Sequence, residues 1–485
     1  MPHLLPPPRA AQPQRLLAPT VTHLARLLLT HAPAIPPLVT AILPSSPSLL
    51  TPLLSHLLLS HSPPLPALSL FRRLLELPHF PVPESALPVL LRLLARSRRY
   101  AHHSFQLLES LPSTHPHLLS VPALSVIIST ALCASAPGAS FAAAVSCFES
   151  AAAVWARAGR SFGAAELNAL LRVFCARGRV AEARALFHRY CDAYPPDTRT
   201  FNTLLLGFKE AGHAQALDLF YHDAVLRGFV PDAVSYCVRM DAYCKKGKFL
   251  DALQLLDEMR KRENCKPTLQ VFTTLIYGAG IVRDAARARR LFDEMEQSGV
   301  TPDRGAHNAL MGAYVRARDL QSGMALMSEM EQKSFGLDDV TYNTMLCGFQ
   351  RAGDLEGIWK IYTKMTGSGF MPRTRTTMLL MKVFCENGRP DLGLELWDYL
   401  IGKGCVPHRH ALDVLVTGLC CRDVVGEAYR CFRELVEMGM APTERAFRVL
   451  EGFLKKKREF GKIEEIRQMM KAIQLEEHQA EEEAA

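Results

Sequence analysis

The sequence predicts an all-α fold, a right-handed superhelical solenoid of helix-turn-helix repeats of about 35 residues. Three observations carry that prediction: the length of the chain, an evenly spaced series of prolines, and a glycine recurring between two stretches of helical apolar periodicity. At 485 residues the chain is longer than one hydrophobic core normally serves, so it must hold several domains or a repeat array. Pro196, Pro231, Pro267, Pro302, Pro372, Pro407 and Pro442 follow one another in steps of 35, 36, 35, 70, 35 and 35 residues. The double step passes Leu337, where the pattern continues in phase without its proline.

The chain begins with a segment of a different kind. From Met1 to Leu75 there is no Asp, Glu or Lys, while Arg9, Arg15, Arg26, Arg72 and Arg73 stand among many Leu and Pro. Arginine without acid is the composition of a transit peptide, so residues 1–45 are expected to be an organellar targeting segment. After Pro19, Thr20 suits the N-cap of a short helix with Val21, Leu24, Ala25 and Leu28 on one face and Thr22, His23, Arg26 and Thr30 on the other. Pro33, Pro36, Pro37, Pro44, Pro47, Pro52, Pro63, Pro64 and Pro66 break the long uncharged stretch, so no membrane-spanning helix is expected. The first 44 residues contain no Ser, which favours a mitochondrial over a chloroplast destination.

Residues 46–163 read as Pro/Leu-rich and degenerate helical repeats that cap the array. Leu87–Leu111 and Leu124–Ala153 suit helix pairs, although Pro137, Gly138 and an alanine-rich stretch spoil the register. The regular units then begin at Ala164, Thr198, Ala233, Leu269, Arg304, Asp339, Thr374, Arg409 and Glu444, nine repeats over residues 164–474 with the last incomplete. Gly178, Gly212, Gly247, Gly353 and Gly388 fall at unit position 15, where a left-handed residue ends a first helix. Ala183, Ala252, Ala288 and Ala428 at position 20 let two helices approach closely. Phe187, Leu256, Phe292, Tyr362, Trp397 and Phe432 at position 24, with Met259, Met295, Met330 and Met365 at position 27, fill the space between neighbours. One unit cannot bury that face alone. Residues 475–485 form an acidic tail.

Charge excludes little. Residues 1–163 carry 11 Lys+Arg against 4 Asp+Glu, residues 164–463 carry 43 against 37, and residues 464–485 carry 2 against 7. Residues 1–163 thus carry most of the net +8, and the charge does not by itself indicate a nucleic-acid partner. Thirteen cysteines include no C-x-x-C pair, which argues against zinc ribbons and a disulfide framework. Cys175, Cys244, Cys385 and Cys420 all occupy position 12 and read as small buried hydrophobes. No HExxH, GxSxG or GxxxxGK stretch occurs, so no catalytic activity, metal or cofactor is expected.

The stretch VTYNTMLCGFQRAGDLEGIWKIYTKMTGSGFMP at 340–372 resembles a pentatricopeptide repeat of the plain, P-class kind found in plant organelles, and TFNTLLLGFKEAG at 200–212 repeats it. The Trp, Leu-Gly and Tyr pattern of tetratricopeptide repeats, which bind proteins, is absent from the first helices. The resemblance implies sequence-specific binding of single-stranded organellar RNA, one repeat to one base, read by the fifth and last residues of each unit. It also implies assistance to intron splicing or to the stabilisation and processing of a transcript, with other RNA-processing factors as further partners. The H-x-E and C-x-x-C signatures of the zinc deaminases attached to some members are missing.

Chemistry supports the assignment of these positions. An ionised aspartate only accepts, so Asp197, Asp232, Asp303 and Asp338 suit the N3–H of uracil or the N1–H and N2–H₂ of guanine. Aspartate also suits a helix N-cap. In the family, Asn168, Asn202 and Asn308 beside three of these aspartates imply U, and Thr273 beside Asp303 implies G, giving 5′-U-U-?-G-U-3′. Cys237 with Thr268, Asn343 with Arg373, Met378 with His408 and Asp413 with Thr443 depart from the family's pairs. At position 2, Val234 and Val340 are expected to sandwich bases and Arg199 and Arg375 to stack a guanidinium on them, whereas Gly305 offers nothing to stack on. Lys245, Arg316 and Arg351 at position 13 are expected to meet phosphates, with a solvated surface charge as the plain reading. The alternative function is a protein-binding helical scaffold, for example on the mitochondrial ribosome, which the four departing pairs favour.

Overall fold

The computed structural model describes residues 14–30, 37–77, 80–134, 139–262, 265–333 and 335–484, and among these it contains helices and no strand. Contacts divide the chain into two units, Met1–Ala242 and Tyr243–Ala485. The boundary falls within α13 (Ala233–Lys245).

In the first unit the helices alternate as pairs: α1 (Gln14–Thr30) with α2 (Pro37–Ser45), α3 (Leu50–Leu59) with α4 (Pro64–Glu76), α5 (Ala86–Leu94) with α6 (Ala101–Thr114), and α7 (Val121–Ala134) with α8 (Ser140–Arg157). The regular pairs α9 (Ala164–Cys175) with α10 (Val180–Tyr190) and α11 (Thr198–Glu210) with α12 (Ala214–Leu226) follow. First helices stack on first helices, α1 on α3, α3 on α5, α5 on α7, α7 on α9 and α9 on α11. One apolar core runs through them from Val21 to Ala242.

This corrects the reading of the N-terminal residues. The helix expected to start after Pro19 starts at Gln14, so Thr20 lies inside it and caps nothing. Its two faces are as the sequence placed them, but Val21, Leu24, Ala25 and Leu28 are buried and α1 packs on α3 and α4. The prolines punctuate helices more than they break them. Pro37 and Pro64 open their helices, and Pro52, Pro66, Pro88 and Pro122 sit in first turns, where a backbone N–H has no intrahelical partner to lose. Residues 46–163 are helical pairs as expected; Pro137 and Gly138 lie outside the described residues.

In the second unit α14 (Phe249–Arg260) is followed by the pairs α15 (Leu269–Ile281) with α16 (Ala285–Gln297), α17 (Arg304–Ala317) with α18 (Leu320–Gln332), α19 (Asp339–Ala352) with α20 (Leu355–Gly367), and α21 (Thr374–Glu386) with α22 (Pro390–Gly402). The pairs α23 (Arg409–Cys421) with α24 (Val425–Glu437) and α25 (Glu444–Lys456) with α26 (Phe460–Ala484) complete it. First helices again stack in succession from α15 to α25. The boundary expected at 474 falls inside α26, so the acidic tail prolongs a helix.

All nine first helices of the regular units begin at the residue the proline spacing predicts. Position 15 is left-handed throughout: Gly178, Gly212, Gly247, Gly353 and Gly388 have φ between 69° and 74°, and Arg283, Arg318, Asp423 and Arg458 adopt φ of 59–65° where glycine is missing. The interhelical turn, which closes a first helix with 6→1 bonds such as Asp354 N–H to the Phe349 carbonyl, imposes the conformation whatever residue is present. The position 20 alanines and the large residues at positions 24 and 27 named above are all buried.

The position 12 cysteines have a packing partner that the sequence reading did not identify. A Cβ added to Gly207 or Gly278 would lie 2.4 Å from Cys175 Sγ or 2.2 Å from Cys244 Sγ, and one added to Gly418 would lie 2.9 Å from Cys385 Sγ. A glycine at position 10 of one unit thus receives the side chain at position 12 of the unit before, which lets the first helices close up. Burial pushes the thiols of Cys175, Cys385 and Cys420 up to about 12, so they are neutral and apolar at neutral pH.

Candidate nucleic-acid interface

Positions 2, 5, 9 and 13 share one face of each first helix, where Val234, Leu206 and Lys245 are exposed while the position 5 residues from Asn168 to Asp413 are buried or half-buried. Clefts open along this face: one of about 450 Å³ is lined by Arg172, Thr203, Leu206 and Glu210, and another of about 460 Å³ by Lys382, Asp413, Thr417 and Arg445.

The residues expected to read bases come together in pairs. Asn168 Nδ2 donates to Asp197 Oδ1 at 3.1 Å, Asn202 Nδ2 to Asp232 Oδ1 and Oδ2 at 3.1 and 3.2 Å, and Asn308 Nδ2 to Asp338 Oδ1 at 3.2 Å. Each aspartate is also the N-cap of the next first helix, accepting from Thr200 N at 2.7 Å, Ser235 N at 2.9 Å and Thr341 N at 2.9 Å. The capping role and the pairing with asparagine therefore coexist in one carboxylate. Burial raises the pKa of Asp197, Asp232 and Asp338, but the hydrogen bonds from Thr200, Ser235, Thr341 and the asparagines outweigh it and hold all three below the usual carboxylate range. They are ionised at neutral pH and present only acceptors.

The two carboxylate oxygens differ. Oδ1 serves the fold, while Oδ2 of Asp197 has no partner among the described residues. Oδ2 of Asp338 faces Arg304 Nη1 at 3.9 Å.

Thr273 and Asp303 share a unit without bonding to each other. The Thr273 hydroxyl donates to the Leu269 carbonyl at 2.8 Å, and Asp303 Oδ1 caps α17 by accepting from Ala306 N at 2.8 Å. Gly305 lies beside it, where a Cβ would stand 3.1 Å from Asp303 Oδ1. Asn343, whose unit ends in Arg373, keeps its Oδ1 buried without a hydrogen-bond partner.

Among the expected stacking and phosphate residues, Val234 and Val340 are each 54% exposed despite being apolar, and Arg199, Arg375, Lys245 and Arg351 are exposed. Arg316 departs from expectation. Its guanidinium lies 4.8 Å from the Tyr277 ring centroid, and its Nη1 is buried without a hydrogen-bond partner, so it is engaged by an aromatic neighbour instead of standing free in solvent. Sequence reasoning missed Tyr277, at position 9, because no proline or glycine spacing marks it.

Profiles of three repeat descriptions match the chain: the PPR repeat family at residues 231–281, 302–350 and 337–385, the pentatricopeptide repeat domain at 269–317, and the PPR repeat at 167–191 and 376–405. A pentatricopeptide repeat-containing protein of Arabidopsis thaliana is 38% identical over 430 residues, covering 88% of this chain and 85% of that protein. A second Arabidopsis thaliana protein, named as a putative member, is 33% identical over 287 residues, 59% of this chain and 58% of its own. Among solved structures, the pentatricopeptide repeat protein PPR10 in complex with an 18-nt psaJ RNA element aligns with 94% of this chain and 79% of its own at 19% identity, with a TM-score of 0.40. The phased helix pairs, the left-handed position 15 and this identity over most of both chains lead to one conclusion: the chain belongs to the pentatricopeptide repeat family.

Proposed function

We propose that this protein binds single-stranded RNA sequence-specifically in an organelle and, by occupying one site, assists intron splicing or stabilises and processes a transcript. The observation that carries the proposal is the asparagine–aspartate pair, built three times in one register with the carboxylate ionised on the exposed side of the first helices. Asn168, Asn202 and Asn308 with Asp197, Asp232 and Asp338 read U, Thr273 with Asp303 reads G, and Asn343 contributes without an acidic partner. Val234, Val340, Arg199 and Arg375 flank the bases, and Lys245 and Arg351 meet phosphates. The protein works by holding RNA: occupancy blocks exonucleases or keeps a stretch from pairing so that an intron folds.

Residues 1–45 direct import, to the mitochondrion in preference to the chloroplast, while the precursor is unfolded and the α1 face is uncovered. The RNA reading is tested with purified full-length protein and a short RNA containing 5′-UUNGU-3′. Affinity should fall steeply as salt rises and fall further when the U and G positions are replaced by A and C. Equal, salt-insensitive affinity for both RNAs would favour the protein-binding scaffold instead.

A further inference from the structure

We propose that the hydroxyl at the third position of a unit is a positioning residue for the asparagine of the unit before it, and that it decides how strictly that asparagine separates U from C. The proposal rests on the base-reading role argued above. A side-chain amide is nearly symmetrical in shape, so half a turn exchanges its donor and acceptor edges at little steric cost. That exchange matters for pyrimidines, because uracil presents N3–H beside a carbonyl oxygen where cytosine presents a bare N3 beside an amino group. An amide held one way complements U; the same amide turned over complements C.

Two units hold it. Ser235 is fully buried, and its Oγ lies 2.7 Å from Asn202 Oδ1 and 2.8 Å from Asp232 Oδ1 while it accepts from Asp232 N at 3.2 Å. On the opposite edge Asn202 Nδ2 donates to the Asp232 carboxylate. Turning this amide over would aim its oxygen at the Asp232 carboxylate and lose the hydrogen bond that its Oδ1 accepts from Ser235. Thr341, also fully buried, repeats the arrangement with Oγ1 2.8 Å from Asn308 Oδ1 and 2.8 Å from Asp338 Oδ1.

Two units leave it loose. The Thr200 hydroxyl is 2.7 Å from Asp197 Oδ1 and makes no bond to Asn168, whose Oδ1 is buried without a partner. Thr376 turns its hydroxyl to Asp339 Oδ1 at 2.9 Å, and Asn343 Oδ1 is likewise left without a partner. All four asparagines are followed by a hydroxyl residue at the next position 3, so the distinction lies in geometry and not in residue type.

The experiment measures, for the full-length protein at one salt concentration, the ratio of affinities for RNAs with U or C at each nucleotide in turn. The ratio under Asn202 and Asn308 should exceed that under Asn168 and Asn343. Ser235→Ala should lower the ratio under Asn202 by about fivefold, the worth of one hydrogen bond, and leave the ratio under Asn308 unchanged. Ser235→Thr should restore it. An unchanged ratio in Ser235→Ala, or an equal drop under Asn202 and Asn308, would overturn the proposal, because loss of a helix cap alone weakens the fold without choosing between bases. If Ser235→Ala fails to fold, equal wild-type ratios under all four asparagines would overturn it in the same way. No U preference under any of them would instead overturn base reading itself.

Discussion

At the scale of the residue, one substitution can separate the capping role of Asp303 from its proposed reading of a base. Asp303 caps α17 through Oδ1, and no protein donor engages its Oδ2 among the described residues. Asp303→Ala should cost about 1 kcal/mol of stability by loss of the cap, whereas Asp303→Asn should keep the cap and the melting temperature. Both should weaken selection of G at that nucleotide, which oligonucleotide binding would show; a large melting shift in Asp303→Asn would mean that the charge is structural. His307 makes a second residue-scale case. It is fully buried between Phe292 and Phe335, with Nδ1 donating to the Asp303 carbonyl at 2.8 Å and Nε2 accepting from Lys333 at 3.0 Å.

Burial holds the pKa of His307 below 6.5, with Lys333 adding to the depression against the opposing effects of the Asp303 carbonyl, Glu329 and Glu296. The folded state therefore takes up this proton less readily than the unfolded state. Stability from this group is complete above pH 6.5 and is lost as pH falls below it. His307→Phe should flatten that loss in melting curves between pH 7.5 and pH 5, a range set by the ordinary histidine pKa of about 6.5. The same slope in both proteins would place the titration elsewhere. Neither His307 nor the Ser235 clamp was legible in the sequence, since both depend on which side chains tertiary packing brings within 3 Å. Positions 5 and 35 were legible because a fixed period places them on one face.

At the scale of the element, the start of every regular first helix could be read from the proline ruler, because a proline immediately before the N-cap recurs in seven of the nine units and fixes the phase of the other two. The pairs before Ala164 lacked it: their prolines fall in first turns, in loops or, as Pro19, Pro44 and Pro112 do, inside helices, out of phase with the later series, so helices looked like breaks. The glycine–cysteine contact between first helices was hidden for another reason, namely that its two residues belong to different units. It predicts that Gly278→Ala destabilises the protein by about 1–3 kcal/mol, through overpacking against Cys244. Cys244→Ala should recover part of that loss, since it removes the Sγ contact and leaves the Cβ one at 2.9 Å. Additive effects in the double-mutant cycle would show that the two residues do not meet.

At the scale of the molecule, composition alone separated residues 1–45 from the fold, but packing does not. Leu50, Leu53, Leu54 and Leu57 of α3 are fully buried, and α1 covers part of that helix. A chain starting at residue 46 should therefore melt at lower temperature than the full chain and bind a hydrophobic dye; identical melting would mean that the segment is a dispensable leader. Among the described residues no single helix is long and apolar enough to cross a membrane. The one bent pair that passes by composition, Pro37–Ser45 with Pro47–Leu59, turns by 113°, and Leu43, Leu49, Leu50, Leu53, Leu54 and Leu57 belong to the core of the first unit.

The central claim, that each unit reads its own base through its fifth and last residues, is tested most directly at the unit 269–303. Thr273, with its hydroxyl turned back to Leu269, leaves room for a purine opposite the Asp303 carboxylate, and asparagine there would fill that room as Asn202 and Asn308 do in their units. The measurement is the affinity of wild type and Thr273→Asn for four RNAs containing 5′-UUNXU-3′, with X each base in turn at one salt concentration. Wild type should prefer G and the variant U, by roughly 1–3 kcal/mol each, with the neighbouring positions unaffected. Equal affinity for all four bases in wild type, or an unchanged preference for G in Thr273→Asn, would contradict the account.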